Sequence, residues 1–167
     1  MRDCPVGDGV VREPMRTSSG TEQESHDTRL PVVEGLEALV SLVAGAERPL
    51  YLRHSRGPDA DSASVSRDYE SGLTLPGLSA TVLTPEPWWT RPLADWLARQ
   101  ICKYVEITDS ADDRAAWVLS GRVSGRGPDH EPLLTDVTPM AWLSEATVEE
   151  ARHRYTARFD VGRDSTG

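Results

Sequence analysis

The chain has 167 residues, 38% hydrophobic and 27% charged, which fits one soluble folded domain large enough to bury a core. Its formal net charge of −9 argues against a non-specific nucleic-acid or anionic-membrane binder, since either needs a basic face. No stretch approaches the roughly 20 apolar residues of a membrane span, and the N-terminus carries no signal-peptide run, so the expected compartment is the cytoplasm.

Lys103 is the only lysine, and with abundant Ala, Asp, Gly and Pro this suggests a GC-rich bacterial genome. Cys4 and Cys102 are the two cysteines, and no metal spacing or disulfide framework follows from them.

Residues 1–29 are polar and without periodicity, so they are expected to be a disordered tail. Leu30 to Gly45 reads as a first helix, opened by Pro31, with Val33, Leu36, Val40 and Val43 on one face. Pro49 to His54 reads as a short strand, and Ser55 to Ser71 as a long polar loop of the kind that is functional or mobile. A Leu75–Leu78 turn leads into a second strand, Ser79 to Leu83.

Pro85 to Tyr104 is the stretch on which the domain is expected to be built. Thr90 is placed to cap a helix with Pro92 in its first turn. Leu93, Trp96, Leu97, Ile101 and Tyr104 form an apolar stripe, and Asp95 and Arg99 make a pair on the wet side. Thr108 to Arg114 is an acidic connector. Ala116 to Ser124 reads as a strand with Trp117, Leu119 and Val123 on one side, and Glu131 to Thr138 as its hairpin partner, continued near Met140 to Leu143. Ser144 caps a last helix whose buried face is Val148, Ala151, Tyr155 and Phe159, and residues 161–167 form a frayed tail. The expected architecture is a single α+β domain over residues 30–160: a small, mostly antiparallel sheet packed on the central helix, with N- and C-terminal helices.

The pattern R-G-P-D-x-acid occurs twice, at Arg56 to Asp61 and at Arg126 to Glu131, each time after a predicted strand. Gly-Pro-Asp is ordinary turn chemistry, so two similar turns are one explanation. The sharper one is that both turns lie at one end of the sheet and present Asp59, Asp61, Asp129 and Glu131 to a shared pocket, with Arg53, His54, Arg56 and Arg126 to set pKa values or hold an anion. Trp88 and Trp89 alternate in an extended segment, so one of them, taken as Trp88, either covers the helix start or lines a groove. No metal site is expected: Asp59, Asp61 and Glu70 match a calcium-loop frame only until Ala63 and Ser64 break it. No P-loop, G-x-G-x-x-G or G-x-S-x-G is present, and these motifs leave the cofactor unknown.

Four runs carry a resemblance: R-H-S-R-G-P-D-A-D from Arg53, L-P-G-L-S from Leu75, P-E-P-W-W from Pro85 and G-R-G-P-D-H-E-P-L from Gly125. On these, Leu50 to Tyr155 resembles an uncharacterised family of small actinobacterial proteins. A fainter likeness is to ADP-ribosyltransferases. Tyr51-Leu52-Arg53 is similar to their strand arginine. Gly77 to Thr81 is similar to their S-T-S strand start, with Ala80 in the middle. Asp129-His130-Glu131 is similar to their E-x-E, with Asp in the first place. The likeness implies an NAD site in which Glu131 contacts the nicotinamide ribose while Arg53 and Ser79 hold the dinucleotide. Two classes therefore compete. One is a module that binds a small molecule or partner protein through the turns at 53–61 and 125–131. The other is an NAD-binding enzyme built on Arg53, Ser79 and Glu131.

Overall fold

The computed structural model describes residues 30–104 and 113–159; the expected tails and most of the acidic connector lie outside them. In chain order the described elements are β1 (Val32–Val33), α1 (Leu36–Gly45), β2 (Tyr51–Ser55), α2 (Pro58–Ser62), β3 (Leu78–Ser79), β4 (Thr81–Val82), α3 (Leu93–Cys102), β5 (Ala115–Arg126), β6 (Pro132–Leu143) and α4 (Glu145–Arg158). The strands form one sheet in the order β1-β6-β5-β2-β4, with β3 also paired to β6. All pairings are antiparallel except β1 with β6. The α+β class expected from the sequence is the one observed.

The sheet is covered on both faces, which explains why Ala116, Trp117, Val118 and Leu119 are all buried in succession. Side chains alternate along a strand, so Leu52, Ala116, Val118, Ala141 and Leu143 face one way and pack with α1, α3 and α4. Tyr51, Trp117, Leu119 and Leu134 face the other way, into a second apolar cluster. The one-sided reading of β5 captures only this second face, and Val123 at its far end is exposed. Register shifts after Val118, Ser120 and Val123 bend β5 against β6.

The first helix begins later than its periodicity suggests. Val32–Val33 forms β1, because Trp142 and Ser144 donate their amides to the carbonyls of Pro31 and Val33. Helix α1 has no side-chain cap of its own. Its orphan amides are met from α4: Thr147 Oγ1 accepts from Gly35 at 2.7 Å and a Glu150 carboxylate oxygen from Leu36 at 2.7 Å. Helix α4 starts as expected, with Ser144 Oγ accepting from the Thr147 amide at 3.1 Å, and it buries Thr147 and Ala151.

Helix α3 starts at Leu93 after Pro92, and Thr90 makes no capping bond. It buries Trp96, Leu97, Ala98 and Ile101, each large apolar side chain contributing about 2 kcal/mol. Asp95 is not on the wet side. It is 0% exposed and is gripped by Arg154 at 2.7 Å, Arg91 at 3.1 Å and Arg158 at 3.3 Å, while Arg99 lies over the Trp89 ring. Burial acts to raise the Asp95 pKa, but Arg154 and Arg158 outweigh it and hold the carboxyl below its usual range. This cluster ties α3 to the C-terminal half of α4. Arg91 also lies 4.4 Å from the centroid of the Phe159 ring.

Candidate functional site

Residues 58–78 form a strap across the sheet face opposite the three long helices. The strap is not structureless. Pro58–Ser62 is a short helix, and Arg67 and Thr74 form a bridge around a turn whose amides at Glu70 and Ser71 are capped by Asp68. Between strap and sheet lies an open cleft of about 590 Å³. Val65, Leu75 and Leu78 line it from the strap, and Trp117, Leu134 and Val137 from the sheet. Asp59, Asp61 and Asp136 supply its carboxylates.

The near end of the strap is locked to β2 by a buried polar network. Arg53 Nε donates to Asp61 Oδ2 at 2.7 Å and its Nη2 donates to Oδ1 at 3.2 Å, while Nη1 donates to the Ser79 carbonyl at 2.6 Å. Ser55 Oγ donates to Asp61 Oδ2 at 2.5 Å and accepts from Trp117 Nε1 at 2.9 Å and the Gly57 amide at 3.2 Å. A two-pronged guanidinium–carboxylate pair fixes direction as well as distance, so α2 has one seat. Gly57 makes that seat possible. Its φ of 119° disfavours any other residue, and a Cβ there would stand 2.6 Å from the Trp142 ring.

A second, smaller pocket of about 140 Å³ holds Arg53, His54, Ser79, Tyr104, Asp129 and Glu131. The three residues of the transferase-like pattern thus meet in one place. Their chemistry is largely spoken for, however. The Arg53 guanidinium is taken by Asp61 and Ser79. Glu131 Oε2 accepts from the Asp129 amide at 2.9 Å, its Oε1 lies 3.5 Å from Ser79 Oγ, and the carboxylate fills the space where a Gly127 Cβ would stand. Burial pushes the Tyr104 hydroxyl up, helped by the negative charges of Asp129 and Glu131. Burial lowers the His54 pKa to about 4, against a hydrogen bond to the Ile101 backbone, so His54 is neutral at pH 7 and is no cationic anchor.

A third groove, of about 290 Å³, runs between α3 and the β5–β6 turn, adjoining the small pocket through Asp129 and Glu131. Trp88, 65% exposed, stands at its rim with Arg99, Lys103 and Arg126. Trp96 is 4% exposed, and its Nε1–H has no hydrogen-bond partner among the described residues, which typically costs roughly 1–3 kcal/mol.

A family model described as a family of unknown function (DUF6098) matches residues 26–165, all three cavities included. The chain belongs to that family. No curated protein and no solved structure matches it.

In this DUF6098 chain the two R-G-P-D turns do not share a pocket. Strands β2 and β5 are antiparallel, with Ser55 opposite Ala115, so the turns that follow them leave opposite ends of the pair. Asp59 and Asp61 line the large cleft, whereas Asp129 and Glu131 line the small pocket and the groove. In each turn the last acid folds back onto its own neighbourhood, Asp61 onto Arg53 and Ser55, Glu131 onto the Asp129 amide. Arg56 is outside all three cavities and pairs with Asp113 at 2.7 Å on the surface. Arg126 donates to the His130 carbonyl at 3.2 Å.

Reading the DUF6098 sequence alone missed the lining of the large cleft. A signal was there: Val65 is an apolar residue within the otherwise polar loop, and Leu75 and Leu78 follow shortly after it. Tyr104, which continues the apolar spacing of α3 in the sequence, lies beyond the helix end and reaches the small pocket. Among the described residues no group of three or more His, Cys, Asp or Glu is arranged to hold a metal ion, and no helix is long and apolar enough to cross a membrane.

Proposed function

We propose that this chain is a small-molecule-binding domain whose ligand lies in the cleft beneath the strap. The carrying observation is the cleft itself: about 590 Å³, within the range of ligand sites, with an apolar floor and a few carboxylates at its edge. The turn at 53–61 serves this reading by holding the strap at one end. Asp61 is occupied by Arg53 and Ser55 and Asp136 is paired with Arg122, so Asp59 is the carboxylate left to orient a ligand. The ligand class that fits is a compact apolar molecule, neutral or carrying one positive charge. The test is titration with phenylnaphthylamine, a neutral fluorophore that brightens in apolar surroundings. Saturable brightening that is lost in Val137→Trp, with the fold intact by circular dichroism, supports the reading; brightening unchanged by that substitution, or none, overturns it.

The meeting of Arg53, Ser79 and Glu131 supports a second reading, an NAD-binding enzyme. It ranks below the first because the pocket is small for a dinucleotide and Asp61 already neutralises Arg53. Calorimetry with NAD on the wild type, Arg53→Ala and Glu131→Ala tests it. Micromolar binding weakened by Arg53→Ala favours the enzyme, and absence of heat at millimolar NAD removes it.

A further inference from the structure

We propose that the groove between α3 and the β5–β6 turn is a separate binding site for a small planar anion: an aromatic ring bearing a carboxylate or phosphate. The groove shares no lining residue with the large cleft, so it stands or falls by itself. At about 290 Å³ it accommodates a single ring with its head group.

Three observations select this ligand. Arg99 in the last turn of α3 and Lys103, its helically folded C-cap, lie four residues apart, so they project from one face, and both line the groove. Neither has a carboxylate partner among the described residues; each rests only over a ring, Arg99 over Trp89 at 6.0 Å and Lys103 over Tyr104 at 5.5 Å. In a chain of net charge −9, two adjacent unpaired cations beside a cavity are an uncommon arrangement that an anionic head group would complete.

The aromatic part follows from the tryptophans. Trp88 is 65% exposed and lies edge-on to Trp96 at 6.1 Å, which leaves an open indole surface at the rim for a planar group. The Trp96 ring lines the same groove, and its unpartnered Nε1–H is a donor awaiting an acceptor.

Polarity within the groove sets the orientation. Glu86, Asp129 and Glu131 also line the groove, and Arg126 donates to the His130 carbonyl between the last two. An anionic head is repelled by these carboxylates and held at Arg99 and Lys103, which have no carboxylate partner among the described residues.

The experiment follows the indole N–H resonances of the full-length chain in nitrogen–proton correlation spectra during titration. The probes are benzoate and phenyl phosphate, with benzyl alcohol as the neutral ring. Saturable shifts of the Trp88 and Trp96 signals with either anion, and none with benzyl alcohol, support the proposal; the tighter probe identifies the head group. Arg99→Ala and Lys103→Ala, both at exposed positions, should each weaken binding about tenfold, the loss of one charge-assisted contact. Shifts confined to Trp117 would place the anion in the large cleft and overturn the proposal. So would equal binding of benzyl alcohol, or no shift with either anion.

Discussion

Arg53 and Asp61 are joined by two hydrogen bonds, 2.7 and 3.2 Å long, and this pair decides the character of two cavities at once. It seats the strap that roofs the large cleft, and it occupies the guanidinium that would otherwise face an anion in the small pocket.

The pair is unequal in what its removal exposes. Asp61 accepts from Ser55 as well as twice from Arg53, so Asp61→Ala leaves the Ser55 hydroxyl and two guanidinium donors unpaired. We expect Asp61→Ala to cost about 3 kcal/mol and Arg53→Ala about 2 kcal/mol. The double variant should lose less than the sum by about 1 kcal/mol, a coupling measured by urea denaturation.

Asp95→Asn should destabilise the chain by about 2 kcal/mol. That is below the loss typical of a fully buried ion pair, because Arg91, Arg154 and Arg158 are partly exposed and can turn to water. The folded-state pKa of Asp95 is depressed, so its contribution is present above the unfolded value near 4 and lost as pH falls through the folded value. Acid unfolding monitored by tryptophan fluorescence should therefore be shallower in Asp95→Asn.

His54 acts in a different pH window. Its folded pKa of about 4 lies below its unfolded value near 6.5, so the unfolded chain binds the extra proton between them. Stability should then fall as pH drops from about 6.5 to about 4, by an amount on the order of 3 kcal/mol. Replacing His54 with Gln should flatten the slope in that window, measured as the urea midpoint at several pH values.

Gly57→Ala should cost about 2–3 kcal/mol, since it forces a side chain into a left-handed backbone and against Trp142. Loss of ligand-probe brightening in the cleft should accompany it, because the strap loses its seat.

What the sequence determined by itself was local. Strand alternation, the Ser144 cap and the apolar spacing of α3 all act over a few residues, so the class of fold, the order of most elements and the hairpin of β5 with β6 were legible. The sequence also grouped Arg53, Ser79 and Glu131, which line one small pocket, but not what each is bound to. Tertiary structure decided the rest, because it depends on partners far apart in the chain. Val32–Val33 is strand because β6 offers it a free edge, and α1 is capped by Glu150, which lies 114 residues from Leu36. Asp95 reads as a surface residue until Arg154 and Arg158 reach it from α4. The two R-G-P-D turns look equivalent in sequence, yet antiparallel pairing sends them to opposite ends of β2 and β5. The cavities exist only where the strap and the hairpin turn fold back on the sheet, and that return path is set by long-range pairing that no local pattern encodes.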